Sequence, residues 1–116
     1  MIRTAFGSVT IDGNIYEKDI IIHVNGKISK RKKKKSKHLK PSYGHTPLSD
    51  CELDFLEKEK PEVVYIGKGY DSALPITAEA LQILKDYESV LLPTPQVVER
   101  LEQEKRKFVA IIHVTC

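Results

Sequence analysis

The residues Val63-Val64-Tyr65-Ile66, closed by the glycine turn Gly67-Lys68-Gly69, decide the fold. Four apolar residues in succession, three of them β-branched, read as a strand buried on both faces. Downstream, Thr77 caps a helical pattern in which Ala78, Ala80, Leu81, Leu84 and Tyr87 are available to pack. Val90-Leu91-Leu92 is a second short apolar run. Thr94-Pro95 then supplies a hydroxyl cap followed by proline at the first helical position. Val97, Val98 and Leu101 share one face of that helix, and Phe108 to Val114 is a last apolar run. The order is β-α-β-α-β, which predicts parallel strands with helices laid on them.

Upstream the pattern changes. Phe6 to Ile11 alternates weakly, Asp12-Gly13-Asn14 is a tight-turn signal, and Ile15-Tyr16 resumes the strand. Asp19 to Val24 is a further strand, and Asn25-Gly26 predicts a type I′ hairpin returning through Lys27 to Lys30. Residues 30–40 carry no packing periodicity and read as a solvated loop. Pro41, Tyr43, Gly44 and Pro47 keep the chain irregular as far as Leu48. Ser49 with Glu52 three residues on resembles a capping box, opening a helix with Leu48, Cys51, Leu53, Phe55 and Leu56 as its apolar stripe. Lys60-Pro61 ends it. The fold class is therefore α/β, a mixed central sheet with helices packed on it and an N-terminal antiparallel hairpin region.

A chain of 116 residues is one domain, 1–116. With 30% charged and 41% hydrophobic residues, it has the composition of a soluble globular protein. No transmembrane run or secretory signal is present, so the expected location is cytoplasmic, with no membrane partner. Cys51 and Cys116 are expected to be free thiols, Cys51 in the core. There is no C-x-x-C pair and no zinc or haem spacing, so neither metal nor cofactor is expected. The net charge of +3 hides an asymmetry: residues 27–40 hold nine basic side chains and no acid. The remainder holds 10 of the 19 basic residues and all 16 acidic ones, hence a charge of −6.

Several stretches together resemble the Mth-domain family. They are Phe6-Gly7, the Asp19-to-Gly26 hairpin, Tyr43-Gly44-His45-Thr46, Ile66-Gly67-Lys68-Gly69, Leu92-Pro93-Thr94 and the ending Ala110 to Cys116. The resemblance spans nearly the whole chain. It implies a three-layer α/β domain with a mixed sheet and an extra antiparallel hairpin. It also implies assembly or regulatory roles and carries over no catalytic activity. This chain departs from the family's usual Gly-Thr-Ser-His at Gly44-His45-Thr46-Pro47, and from Thr-Gly at Lys68-Gly69.

The expected function is that of a non-enzymatic protein-binding or assembly domain, with a protein partner; monomer and dimer stay equally open. No catalytic set can be assembled from Ser72, Asp71, His45 and His113, and His113 reads as a satisfied core histidine. The alternative is a small-ligand binder or enzyme using a cleft around Gly67 to Tyr70, His45 and Thr94. There Gly67, Lys68 and Gly69 would cradle an anion with backbone N–H groups, beside loop residues Gly44 and His45. A second alternative is weak, non-specific nucleic-acid binding through Lys30, Arg31, Lys32, Lys33, Lys34, Lys35 and Lys37. No aromatic residue interleaves these lysines, which argues against a base-stacking platform.

Overall fold

The structure, a computed structural model, describes residues 2–44 and 46–115. Among the described residues eight strands lie in two sheets. The smaller joins β1 (Ile2–Ala5), β2 (Ser8–Ile11) and β3 (Asn14–Tyr16) in an antiparallel meander. The larger contains β4 (Ile20–Ile22), β5 (Ile28–Lys30), β6 (Val63–Gly67), β7 (Glu88–Leu92) and β8 (Phe108–Ile112), in the order β5-β4-β8-β6-β7. The three apolar runs of the second half become β6, β7 and β8, parallel to one another as expected. β4 joins antiparallel to β8, so the sheet is mixed.

Alternation along β6 splits the core in two. Val64 and Ile66 pack with Ile21, Leu48, Leu56, Leu84 and Ile111 on one face. Val63 and Tyr65 pack with Val9, Ile20, Val97, Leu101 and Ile112 on the other. The first face is covered by α3 (Ala78–Leu84) and by residues 48–59. The second is covered by α4 (Thr94–Leu101) and the small sheet. Helix, sheet and helix-plus-hairpin form three layers.

Thr77 caps α3 through Ala80 N–H at 3.1 Å, as its sequence position predicts. Leu81 turns outward and is exposed. At Asp12-Gly13 both φ angles are positive, +49° and +87°, a two-residue hairpin loop within the tight turn expected at Asp12-Gly13-Asn14. The Asn25-Gly26 hairpin differs. Gly26 N–H reaches the His23 carbonyl and only Gly26 has positive φ. That is a type I turn closed by a glycine bulge instead of type I′. Asn25 Oδ1 accepts the Lys27 N–H at 3.0 Å, which holds the longer loop.

Three expectations are corrected between residues 30 and 60. Residues 30–40 do not float free: two 3₁₀ turns, Lys33–Lys35 and Lys37–Leu39, lead into α1 (Lys40–Tyr43), with Arg31 and Ser36 buried. The helix expected from Ser49 is broken into a 3₁₀ turn at Asp50–Glu52 and α2 (Leu56–Glu59). Ser49 makes no side-chain cap, because its hydroxyl meets Ser36. Glu52 does not reach back to the cap, because its carboxylate turns inward onto Arg31. Cys51 is left exposed as a free thiol, not in the core. Cys116 and His45 lie outside the described residues.

Candidate functional site

Strand direction gathers the polar residues at one end of the large sheet. The carboxyl ends of β6, β7 and β8 lie together, and open α/β sheets bind ligands at that end. β4 runs the opposite way, so Asp19 arrives at the same end, opposite the residues that follow Ile112. Lys30 pairs with Ile20, which brings Arg31 there as well.

Arg31 is the centre of this group, with its side chain 1% exposed. Its Nε and Nη2 donate to the two oxygens of Glu52 at 2.7 and 3.0 Å. Nη1 donates to Asp19 Oδ2 at 3.0 Å, and Nη2 also reaches the Pro47 carbonyl at 2.8 Å. Ser36 donates to Glu52 Oε2. Burial alone would lower the Arg31 pKa; Glu52 and Asp19 outweigh it and raise it. Among the described residues no buried side-chain polar atom lacks a partner.

Asp19 passes this order on to His113. Its Oδ2 meets His113 Nδ1 at 2.8 Å, and its Oδ1 accepts the Val114 N–H at 3.0 Å. Burial pushes the Asp19 carboxyl up, but the His113 hydrogen bond and charge, the Val114 N–H and Lys33 together hold it at about 2. The carboxylate fixes the imidazole with Nδ1 inward and Nε2 outward, 3.2 Å from Thr115 Oγ1. His113 is therefore not a closed core histidine. It borders a cavity of about 190 Å³ together with Lys33, Lys40, Thr46, Thr115 and Leu74. On the far side of Lys33 and Thr115 an open groove of about 780 Å³ runs along Lys30 to Lys35.

Of the site residues singled out from the sequence, Lys33 lines this cavity, whereas Gly44, Gly67, Lys68, Gly69 and Thr94 are not among its lining residues. The Gly67-Lys68-Gly69 turn offers no free N–H cradle. Lys68 N–H goes to the Leu92 carbonyl, Gly69 N–H to Thr94 Oγ1 at 2.9 Å, and Tyr70 N–H to the Thr115 carbonyl. Thr94 is fully buried, and its hydroxyl donates to the His113 carbonyl instead of capping α4. Gly67 is required by this packing: a Cβ there would sit 2.9 Å from Thr94 Oγ1. Gly67→Ala is expected to destabilise the fold by roughly 1–3 kcal/mol through overpacking, read as a lower urea midpoint. An unchanged midpoint would show that the contact yields. Gly44 ends α1 in the left-handed conformation, φ +75°. Of the expected basic patch, Arg31 is interior, while Lys30, Lys32, Lys33, Lys34, Lys35 and Lys37 stay exposed. Asp19, Glu52 and Ser36 were not legible as parts of a site. Their one sequence signal is a lone acid, Asp19, opening an isoleucine run.

Among the described residues no group of three His, Cys, Asp or Glu side chains could hold a metal ion. No described helix is long and apolar enough to cross a membrane.

The crystal structure of the conserved hypothetical protein PH1505 from Pyrococcus horikoshii OT3 superimposes with a TM-score of 0.86. The alignment has 32% identity and covers 100% of this chain and 99% of that one. The two proteins belong to one family. A second solved structure, MT938, matches at 35% identity and TM-score 0.79 over 100% of this chain and 98% of that one, and belongs to the same family. The NMR structure of Xanthomonas campestris XCC1710 shares the fold at 13% identity, with a TM-score of 0.67 over 98% of this chain and 83% of that one. No family model matches the chain, and no curated protein matches it.

Proposed function

We propose that this protein binds a small anionic ligand, a carboxylate or phosphate, in the cavity between Lys33, Lys40 and Thr46 and the carboxyl end of the sheet. The observation that carries this reading is His113: a buried carboxylate orients its ring, and the ring borders a cavity shared with Lys33 and Lys40. Lys33 and Lys40 supply positive charge, and the hydroxyls of Thr46 and Thr115 supply short-range donors. A ligand that binds only the folded chain raises its stability by RT ln(1 + [L]/Kd), about 2.7 kcal/mol at a hundredfold excess over Kd. Inorganic phosphate and a short dicarboxylate, titrated against the melting temperature at constant ionic strength, are the probes. The expected result is saturable stabilisation by one of them, abolished in Lys40→Gln and weakened in His113→Gln. Stabilisation that follows ionic strength alone, or is equal in Lys40→Gln, would overturn the reading.

A second reading, a protein-binding or assembly role within an Mth-domain family, is favoured by a different observation. Ile15 on β3 and Phe6 in the turn between β1 and β2 are 67% and 64% exposed, and β1 and β3 are the outer strands of the small sheet. Native copurification of wild type against a Phe6→Ser, Ile15→Ser variant separates the readings. A stoichiometric partner lost in the variant supports assembly.

A further inference from the structure

The other end of β4 holds a chemistry-bearing set that the anion cavity does not use. Ser29 on β5 lies opposite Ile21, and His23 stands two residues beyond Ile21, so the two side chains are diagonal neighbours on one face. His23 Nε2 is 2.7 Å from Ser29 Oγ, and His23 Nδ1 is 2.6 Å from Glu59 Oε2. Glu59 is the last residue of α2, and its second oxygen accepts the Val24 N–H at 2.9 Å. The Phe55 ring packs edge-on against the imidazole, with centroids 5.5 Å apart, and fixes its plane. A carboxylate is acceptor-only, so it accepts the hydrogen bond from Nδ1–H and leaves the Nε2 lone pair to accept the Ser29 hydroxyl. The His23 and Glu59 side chains are each 22% exposed. They border an open cavity of about 410 Å³ with Lys27 and Asn25. A nucleophile, a base in hydrogen-bond reach, and a third group orienting that base are the arrangement of nucleophilic acyl transfer.

We propose that Ser29, His23 and Glu59 form an acyl-transfer site for small acyl esters. Ser29 Oγ bonds the carbonyl carbon while its proton passes to His23 Nε2, and the carbonyl electron pair moves onto oxygen. Collapse of the tetrahedral species expels the alcohol, which takes the proton from Nε2 and leaves acyl-Ser29. Water then attacks the acyl carbon by the same route, giving acid, alcohol and free Ser29. Lys27 on the cavity wall favours the negative oxygen electrostatically. The open cavity of about 410 Å³ suits a small acyl ester.

The test is covalent. Native protein is treated with a fluorophosphonate probe and the modified peptide identified by mass spectrometry; in parallel the acyl-enzyme is sought with an activated acetate ester. The expected result is modification at Ser29, absent in Ser29→Ala and in urea-unfolded protein. His23→Gln should slow it about 100-fold, the ordinary range for losing a general base. Glu59→Gln should slow it less and shift the pH profile of labelling. Melting curves check that each variant folds, and the wild-type labelling stands by itself if one does not. Native wild type that leaves Ser29 unmodified, or labels it no faster than the unfolded chain, would overturn the proposal. Labelling of equal rate in a folded His23→Gln would do the same.

Discussion

Replacing Arg31 by alanine is expected to cost roughly 3–5 kcal/mol of stability, the range for breaking a buried ion pair from one side. The substitution leaves Asp19 and Glu52 charged in a place water does not reach: their side chains are 2% and 1% exposed. It also strips the Pro47 carbonyl of its donor and removes the tie from position 31 to Glu52 in the 3₁₀ turn at Asp50–Glu52. Domains of this size are stable by about 5–15 kcal/mol, so the loss is a large fraction of the whole. Urea unfolding of the variant measures it. Much of the cost belongs to the stranded charges, not to the pair itself. The triple variant Arg31→Met, Asp19→Asn, Glu52→Gln should therefore recover part of the loss. A change below about 1 kcal/mol in Arg31→Ala would mean that the guanidinium does not hold Asp19, Glu52 and the Pro47 carbonyl together.

Acid should act through Asp19. Its carboxyl is held at about 2 in the fold, against 3.8 without perturbation. A depressed carboxylate stabilises the folded state fully above its unfolded value and loses that contribution as pH falls through the folded one. The window therefore runs from about 3.8 down to about 2, and the amount lost is roughly 2 kcal/mol. In Asp19→Asn this part of the pH dependence is absent, although the variant is less stable at every pH above the window. Unfolding free energies of both proteins, measured across the window, give the comparison. Parallel curves would show that Asp19 is not the group titrating.

The second half of the chain was legible because its periodicity and its punctuation agree. Apolar runs, a Thr cap and a Pro start each named the same boundary, and the strands at Val63, Val90 and Phe108 are present. β1 was not legible: Ile2-Arg3-Thr4-Ala5 has little apolar character, and its pairing with β2 supplies what propensity does not. The misread stretch from Ser49 to Lys60 has a physical cause. Local signals favoured a capped helix, but the carboxylate of Glu52 is worth more on a buried guanidinium than at a helix end. The same interaction hid the site. Within a run of lysines nothing local marks which basic residue turns inward, because its partners lie 12 and 21 residues away. Arginine is the member whose planar fork satisfies two carboxylates and a carbonyl at once. His113 was read as a core residue since its neighbours are apolar, whereas its orientation comes from Asp19, 94 positions earlier. The glycine turn drew attention for the opposite reason. Short glycine motifs suggest open N–H groups, and here Leu92, Thr94 and Thr115 had already claimed them.

The position of β8 in the sheet constrains how the chain is made. Of the described strands β8 comes last along the chain, yet it lies between β4 and β6 and joins the antiparallel part of the sheet to the parallel part. Until it emerges from the ribosome, β4 and β6 each lack a neighbour, and Ile20, Ile21, Val64 and Ile66 have no central strand to pack beside. A nascent chain ending before Phe108 thus exposes two apolar strand edges, the form of intermediate most prone to pair with other chains. Folding must wait for these long-range pairings, so it should be slow for a chain of this length and nearly all-or-none.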